Sequence, residues 1–128
     1  MFNLIYRDGA PENTGHYEGI PTDATNLKVG QAVHLASGKA ALATGDNKIY
    51  GIVAGEAVDG IVKVLKVTPD MIFETVTTVA PAAKGTVVTL SGGEKVTATA
   101  PASGKYGATI VETRDAAAGG FVEVCFAN

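Results

Sequence analysis

The segment GQAVHLASG at residues 30–38 recurs as GTVVTLSGG at residues 85–93. Four residues of the first segment have an identical counterpart 55 positions later: Gly30, Val33, Leu35 and Gly38. Val33 and Leu35 are two positions apart, so their side chains point to the same face of a strand. We expect this face to lie in the core, and we expect each segment to be a strand that ends at its glycine.

The repetition continues beyond these two segments. Later residues match in the same order, first at an offset of 56 and then at an offset of 60, and the matching pairs are Tyr50 with Tyr106, Gly51 with Gly107, Glu56 with Glu112, Asp59 with Asp115, Gly60 with Gly120, Val62 with Val122 and Val64 with Val124. Two copies are too few for a solenoid. The repeat therefore predicts one pseudo-symmetric β-structure whose halves share a core.

Each copy closes on a predicted hairpin. In the first copy, Asp59-Gly60 can adopt the positive backbone angles of a tight turn, and it joins a strand at 51–56 to a strand at 61–67. The second copy reads RDAAAGG at 114–120, so we expect a longer loop there.

Composition limits the function classes. The 128 residues carry ten basic and thirteen acidic side chains in scattered positions, for a net charge of −3. This pattern offers no cationic stripe for direct nucleic-acid binding. The single cysteine, Cys125, excludes an internal disulfide framework. No apolar run approaches the roughly 18 residues of a membrane span, so we expect a soluble chain without a membrane partner.

These features together predict an all-β fold, a compact β-barrel or sandwich-like domain built from two pseudo-repeated halves, with an extended N-terminal arm. We place the arm at residues 1–27 and the single β-domain at residues 28–128. Within the domain, the repeats run over about 28–67 and 84–126, and a linker strand at 68–83 joins them. The arm has no evident second copy in the sequence.

Reactive side chains show no catalytic pattern, and we expect neither an enzyme nor a cofactor. The Gly-Lys pairs that end at Lys39 and Lys105 lack the Ser or Thr of a phosphate-binding loop. Cys125 with His34 would form a nucleophile pair only if folding brought them together, and Cys125 is better explained as a small apolar strand residue.

Two weaker alternatives remain at the repeated polar positions. The E-x-x-D spacing of Glu56 and Asp59 is compatible with Ca²⁺, but the six to eight oxygen ligands of such a site are not evident, so we expect no metal. Tyr50 and Tyr106 each precede a glycine and could stack on a ligand, although packing explains them more simply.

Four segments resemble small decoration proteins, also called cement proteins, of tailed-phage capsids. The segments are LKVGQAVHL at 27–35, YGIVAGE at 50–56, VLKVTPDMIFE at 64–74 and GTVVTLSGG at 85–93. The resemblance covers about the last hundred residues. It implies a structural protein of the virion, made in the host cytoplasm and bound to the outer capsid surface. Its implied partners are the phage major capsid protein and further copies of itself in a homotrimer.

Contact with the capsid is expected at the arm and at one loop. By this hypothesis FNLIY at 2–6 adds a strand to the sheet of the capsid or of a sister subunit. Deletion of residues 1–20 should then abolish capsid binding and leave the melting temperature nearly unchanged. The candidate contact residues are Phe2, Leu4, Tyr6, His16, Tyr17, Asp115, Ala117 and Gly119. The alternative function is a free-standing β-barrel that binds a small ligand near Tyr50 and Tyr106.

Overall fold

The computed structural model describes residues 1–7 and 16–126, which form strands joined by turns and loops. The strands are β1 Asn3–Arg7, β2 His16–Pro21, β3 Ala32–Ala36, β4 Lys39–Leu42, β5 Gly51–Val58, β6 Ile61–Lys66, β7 Met71–Thr77, β8 Val87–Val88, β9 Leu90–Ser91, β10 Lys95–Val96, β11 Ala108–Thr113 and β12 Phe121–Cys125. The all-β prediction is confirmed. No helix in the described part of the chain could cross a membrane.

Two sheets divide these strands between the two halves of the chain. The first sheet has the order β2-β6-β5-β3-β4. Its two edge strands approach each other where the Thr22 hydroxyl, just after β2, donates to the carbonyl of Ala40 in β4 at 2.7 Å. The second sheet has the order β8-β11-β12-β7-β10-β9, with β1 also paired to β7. Since β8 and β9 follow each other directly along the chain, this sheet is a nearly closed barrel.

The two sheets share the antiparallel order β2-β6-β5-β3 and β7-β12-β11-β8, together with one irregularity of register. The hairpin β5-β6 has a register shift between Val53 and Gly55, and the hairpin β11-β12 has one between Ile110 and Glu112. Val53 lies opposite Val64, and Ile110 lies opposite Val124. A bulge at the same place in both hairpins indicates a common ancestry for the two halves.

The bulges correct the sequence-derived alignment by one residue. Glu112 lies opposite Glu123, the position that Gly55 occupies opposite Lys63 in the first half. Glu112 is therefore the structural counterpart of Gly55, and by the same ladders Ala108 is the counterpart of Gly51, so the matches of Gly51 with Gly107 and of Glu56 with Glu112 were each displaced by one residue. Identity alone misaligned them because the second half contains one further residue before this strand.

The repeat also extends upstream of residue 28, where the sequence indicated an arm. The Thr22 N–H donates to the Gly60 carbonyl at 2.9 Å, and the Thr77 N–H donates to the Gly120 carbonyl at 3.1 Å. Both threonine hydroxyls also accept the N–H two residues further on, from Ala24 at 3.0 Å and from Val79 at 3.1 Å. Thus β2 is the counterpart of β7, and the predicted linker strand begins the second copy.

Two apolar clusters fill the molecule. The smaller cluster lies inside the first sheet and includes Val33, Val53 and Val64. The larger cluster lies inside the barrel formed by the second sheet and also contains Ile52 and Leu65 from the first sheet. Alternation along β5 and β6 therefore sends one set of side chains into the first half and the other set against the second half.

The N-terminal segment completes this shared core. Phe2 is 2% exposed, and β1 pairs antiparallel with β7 of the same chain. The Phe2 ring contacts the Phe126 ring edge-on, with 5.4 Å between centroids. One edge of this strand pairs with β7 and the Phe2 side chain lies in the core of the same chain, so the expected addition of FNLIY to a neighbour's sheet stays a prediction for the other edge of β1.

Candidate interaction surface

Surface, and not a reactive cluster, distinguishes this fold. Among the described residues, no three His, Cys, Asp or Glu side chains are grouped so that they could hold a metal ion. His34 lies in β3 of the first sheet, whereas Cys125 lies half-buried in β12 of the second. The folded chain therefore does not place these two residues on one strand or on paired strands.

The first exposed apolar group lies at the turn between β5 and β6. Val58 is 68% exposed, Ile61 is 46% exposed, and the two residues face each other across the hairpin. Pro21 lies opposite Ile61 on the neighbouring β2. Asp59 and Gly60 both have positive φ, 53° and 76°, as a tight two-residue hairpin turn requires. We call Pro21, Val58 and Ile61 the first tip.

The second exposed apolar group occupies the equivalent place in the second half. Phe121 is 52% exposed and lies opposite Val76, as Ile61 lies opposite Pro21. Val79, just beyond β7, is 48% exposed. We call the exposed Val79 and Phe121, together with the partly buried Val76 between the strands, the second tip. Both tips present an apolar side chain at the first position of the last strand of their half.

The predicted contact loop lies beside the second tip. The Asp115 carboxylate accepts a hydrogen bond from the Ala117 N–H at 3.1 Å. Gly119 has a φ of 79°, and its N–H donates to the Thr77 carbonyl at 2.8 Å. The structure thus gathers Asp115, Ala117 and Gly119 into one ordered loop that leads into Phe121.

Sequence reasoning missed the two tips, although a signal for them was present. Ile61 and Phe121 each precede an alternating pair of buried valines, Val62 with Val64 and Val122 with Val124. Strand parity therefore sends Ile61 and Phe121 outward. A single exposed apolar residue is common on a protein surface, so the informative observation is that Ile61 and Phe121 each lie next to further exposed apolar side chains.

His16, one of the two predicted contact residues of β2, belongs to a polar cluster on the first sheet. The His16 imidazole lies 3.0 Å from one oxygen of Glu18, and the Tyr50 hydroxyl donates to the other oxygen at 2.5 Å. The hydrogen bond from Tyr50 lowers the pKa of Glu18, and nearby His16 and Lys66 act in the same direction. The same hydrogen bond raises the pKa of Tyr50, because it favours the protonated phenol.

Tyr17 and Leu4 line a groove between β1 and the first sheet. The groove has a volume of about 210 Å³, and its lining also includes Val29, Gly30 and Ala54. The Lys63 ammonium lies 5.0 Å from the centroid of the half-exposed Tyr17 ring, within the range of a cation–π contact. Phe2 forms part of the groove floor and belongs to the core, so it offers little surface to a partner. Tyr6 pairs with Ile72 in the β1-β7 ladder.

Of the two tyrosines of the alternative function, Tyr50 lines a surface depression. Leu35, Lys48, Ile49 and Tyr50 line an open depression of about 230 Å³. The Lys48 ammonium lies 5.6 Å from the centroid of the Tyr106 ring. This volume is below the roughly 300–1,000 Å³ typical of small-molecule sites.

Comparison with protein-family models, with curated proteins and with solved structures finds no match for this chain.

Proposed function

We propose that this chain is a structural virion protein that binds the outer surface of an assembled tailed-phage capsid and stabilises it. The observation that carries the proposal is the presence of an exposed apolar tip at the same position of both halves. A rigid body that shows apolar side chains at defined positions is suited to docking on protein surfaces.

The proposed binding partner, the major capsid protein, is inferred from the sequence resemblance. The segments at 27–35, 50–56, 64–74 and 85–93 resemble capsid decoration proteins, and the partners proposed are the major capsid protein and two further copies of this chain. Weak contacts suffice for such a role, because the three linked copies of a trimer would bind a repeating lattice together, and the linkage raises the overall affinity. Direct nucleic-acid contact is not part of the proposal, since the net charge is −3.

Co-sedimentation with empty phage heads tests the proposal. Purified protein is mixed with heads of the phage that encodes it, and the pellet is quantified against the shell protein. We expect saturation at a fixed ratio and an increase in the temperature at which the heads rupture. If the protein stays in the supernatant at every concentration, the proposal is wrong. Light scattering on the free protein tests the trimer separately, since a trimer has three times the 13.0 kDa chain mass.

A small-ligand module is the second candidate, and the depression beside Tyr50 is the observation that favours it. An aromatic face, the apolar Leu35 and the cationic Lys48 would suit a small aromatic anion. Salicylate titrated into labelled protein and followed by NMR tests this function. Saturable shifts confined to Leu35, Lys48 and Tyr50, without any binding to heads, would favour the module over the decoration protein.

A further inference from the structure

We propose that copies of this chain bind one another through two unlike faces, so that the outer face of the first sheet of one copy docks on the outer face of the second sheet of the next copy. The occupant of each face is therefore a second copy of the same chain. The number of copies, three, rests on the proposed function, whereas the choice of faces rests on the charges and shapes of the two sheets.

The outer face of the first sheet carries one exposed cation between two positions that have no side chain. Lys63 lies opposite Gly19 on β2 and opposite Gly55 on β5, so the three residues form one row across the sheet. Among the described residues Lys63 takes part in no salt bridge, and its ammonium contacts the Tyr17 ring. We call Gly19, Gly55 and Lys63 the lysine row.

The outer face of the second sheet carries a ridge of carboxylates at the equivalent place. Glu123 lies opposite Glu74 on β7 and opposite Glu112 on β11, and we call these three residues the glutamate row. The Arg114 guanidinium donates to Glu74 at 2.5 Å and to Glu123 at 2.9 Å, and the Lys84 ammonium lies 3.8 Å from Glu112. Like charges directly opposite each other in a sheet are unfavourable. The two cations still leave one of the three negative charges uncompensated.

The two rows differ in a complementary way at all three positions. Each glycine of the lysine row stands where the other half has a glutamate, and the lysine stands where the other half has the middle glutamate. A ridge of long side chains fits a surface with a glycine on each side of its lysine, and the excess negative charge is complementary to that lysine. Contact between like faces would instead bring lysine to lysine or glutamate to glutamate, so the contact of unlike faces is favoured.

Contact between unlike faces does not end with two copies. A dimer formed in this way still has one free lysine row and one free glutamate row, so copies add until a ring closes. Closure at three copies gives the proposed trimer, in which each lysine row is covered by a glutamate row.

Charge reversal in each row tests the contact. Lys63→Glu and Glu112→Lys are compared with the wild type by sedimentation velocity over a range of protein concentrations. Glu112 is chosen because its side chain is 56% exposed and the Arg114 bridge does not depend on it. We expect each variant to need a concentration about 10-fold higher or more to associate, because like charges then face each other. Lys105→Glu is the matched control, since Lys105 is exposed and lies outside both rows, and it should associate as the wild type does.

A mixture of the two variants and a neutral substitution extend the test. Lys63→Glu mixed with Glu112→Lys should associate again, because the intact lysine row of one variant meets the intact glutamate row of the other. Gly55→Gln should weaken association without any change of charge. A Cβ at residue 55 would lie 3.5 Å from the Lys63 Cβ, an ordinary contact, so the new side chain fits the folded chain but occupies the space beside the lysine.

The outcomes separate this inference from the proposed function, because neither row includes a residue of the two tips and association is measured without phage heads. If the wild type is a monomer at every concentration, or if either charge variant associates as Lys105→Glu does, the inference is wrong and binding to heads is unaffected. If the variants dissociate and melt as the wild type does, the inference holds even where co-sedimentation shows that the proposed function is wrong. Should a charge variant fail to fold, Gly55→Gln decides, and its association at the wild-type level would contradict the contact.

Discussion

Phe126 follows the last strand of the fold, and its ring lies between those of Phe2 and Phe73. The centroid separations are 5.4 Å and 5.5 Å, and Phe126 is 4% exposed. Contacts among these three rings pack the two ends of the described chain against β7 in the second sheet. Their packing is a stability feature and has no direct part in the proposed binding.

Replacement of Phe126 by alanine should therefore destabilise the whole protein. We expect Phe126→Ala to lower the free energy of unfolding by about 3–5 kcal/mol, because it leaves a cavity among aromatic side chains. Urea denaturation measures the change. Phe121→Ala is the matched control, since that ring is half exposed, and its effect should be near 0.5 kcal/mol. Equal losses in both variants would contradict this assignment of core and surface.

The pair of Glu18 and Tyr50 gives a pH-dependent prediction at the same scale. The pKa of Glu18 is lower in the folded protein than in the unfolded chain. Its contribution to the free energy of unfolding is therefore present above the unfolded pKa and is lost as pH falls through the folded pKa. The pKa of Tyr50 is raised, so the contribution of the phenol is present below its unfolded pKa and is lost as pH rises through the folded value.

Removal of the Tyr50 hydroxyl should raise the pKa of Glu18. In Tyr50→Phe we expect the pKa of Glu18 to rise toward that of an ordinary glutamate, since the strongest stabilising hydrogen bond to the carboxylate is gone. An NMR titration of the Glu18 carboxyl carbon follows the change, and Glu56 in the same spectra provides a reference. An unchanged Glu18 titration in the variant would show that the hydrogen bond from Tyr50 does not lower the pKa of Glu18.

At the scale of elements, periodicity predicted those strands that bury one face. The hairpin expected at 51–56 and 61–67 forms at Gly51–Val58 and Ile61–Lys66, and the alternating segment after Pro69 forms β7. In contrast, β2 is mostly exposed and has only Ile20 buried, so its sequence carries little apolar pattern. Its place in the sheet is set by pairing with β6 and by the buried Thr22, which are tertiary effects that a local pattern cannot indicate.

The N-terminal strands give a prediction that reverses the sequence-based expectation. Deletion of residues 1–20 removes Phe2, β1 and nearly all of β2, so the two sheets each lose an edge strand. We now expect the melting temperature to fall strongly or the cooperative transition to disappear, as circular dichroism would show. Asn3 is exposed, so the control substitution Asn3→Ala should leave the cooperative unfolding transition unchanged. A truncated chain that melts like the wild type would show that the N-terminal strands are dispensable.

At the scale of the whole molecule, we expect the two halves to unfold as one cooperative unit, although each has its own sheet. The reason is the larger apolar cluster, which contains Ile52 and Leu65 of the first sheet together with Phe73 and Val124 of the second. The counterparts of Ile52 and Leu65 in the second half are Thr109 and Cys125, which lie only partly buried. The halves thus share a strand plan but differ on the face where they meet. The repeated motifs predicted that the two halves have similar strands. The interface between the halves could not be predicted in this way, because it is formed by Ile52 and Leu65, which are not repeated in the second half.

Leu65 lies on this shared face and tests the cooperativity. We expect Leu65→Ala to lower the free energy of unfolding by about 2–5 kcal/mol while scanning calorimetry still shows one transition, because a cavity at the junction weakens both halves together. Leu35→Ala is the matched control, because that leucine is 41% exposed, contrary to the sequence-based expectation that it lies in the core with Val33, and its loss should have little effect. Two transitions in the Leu65 variant, with only one of them shifted, would mean that the halves fold separately.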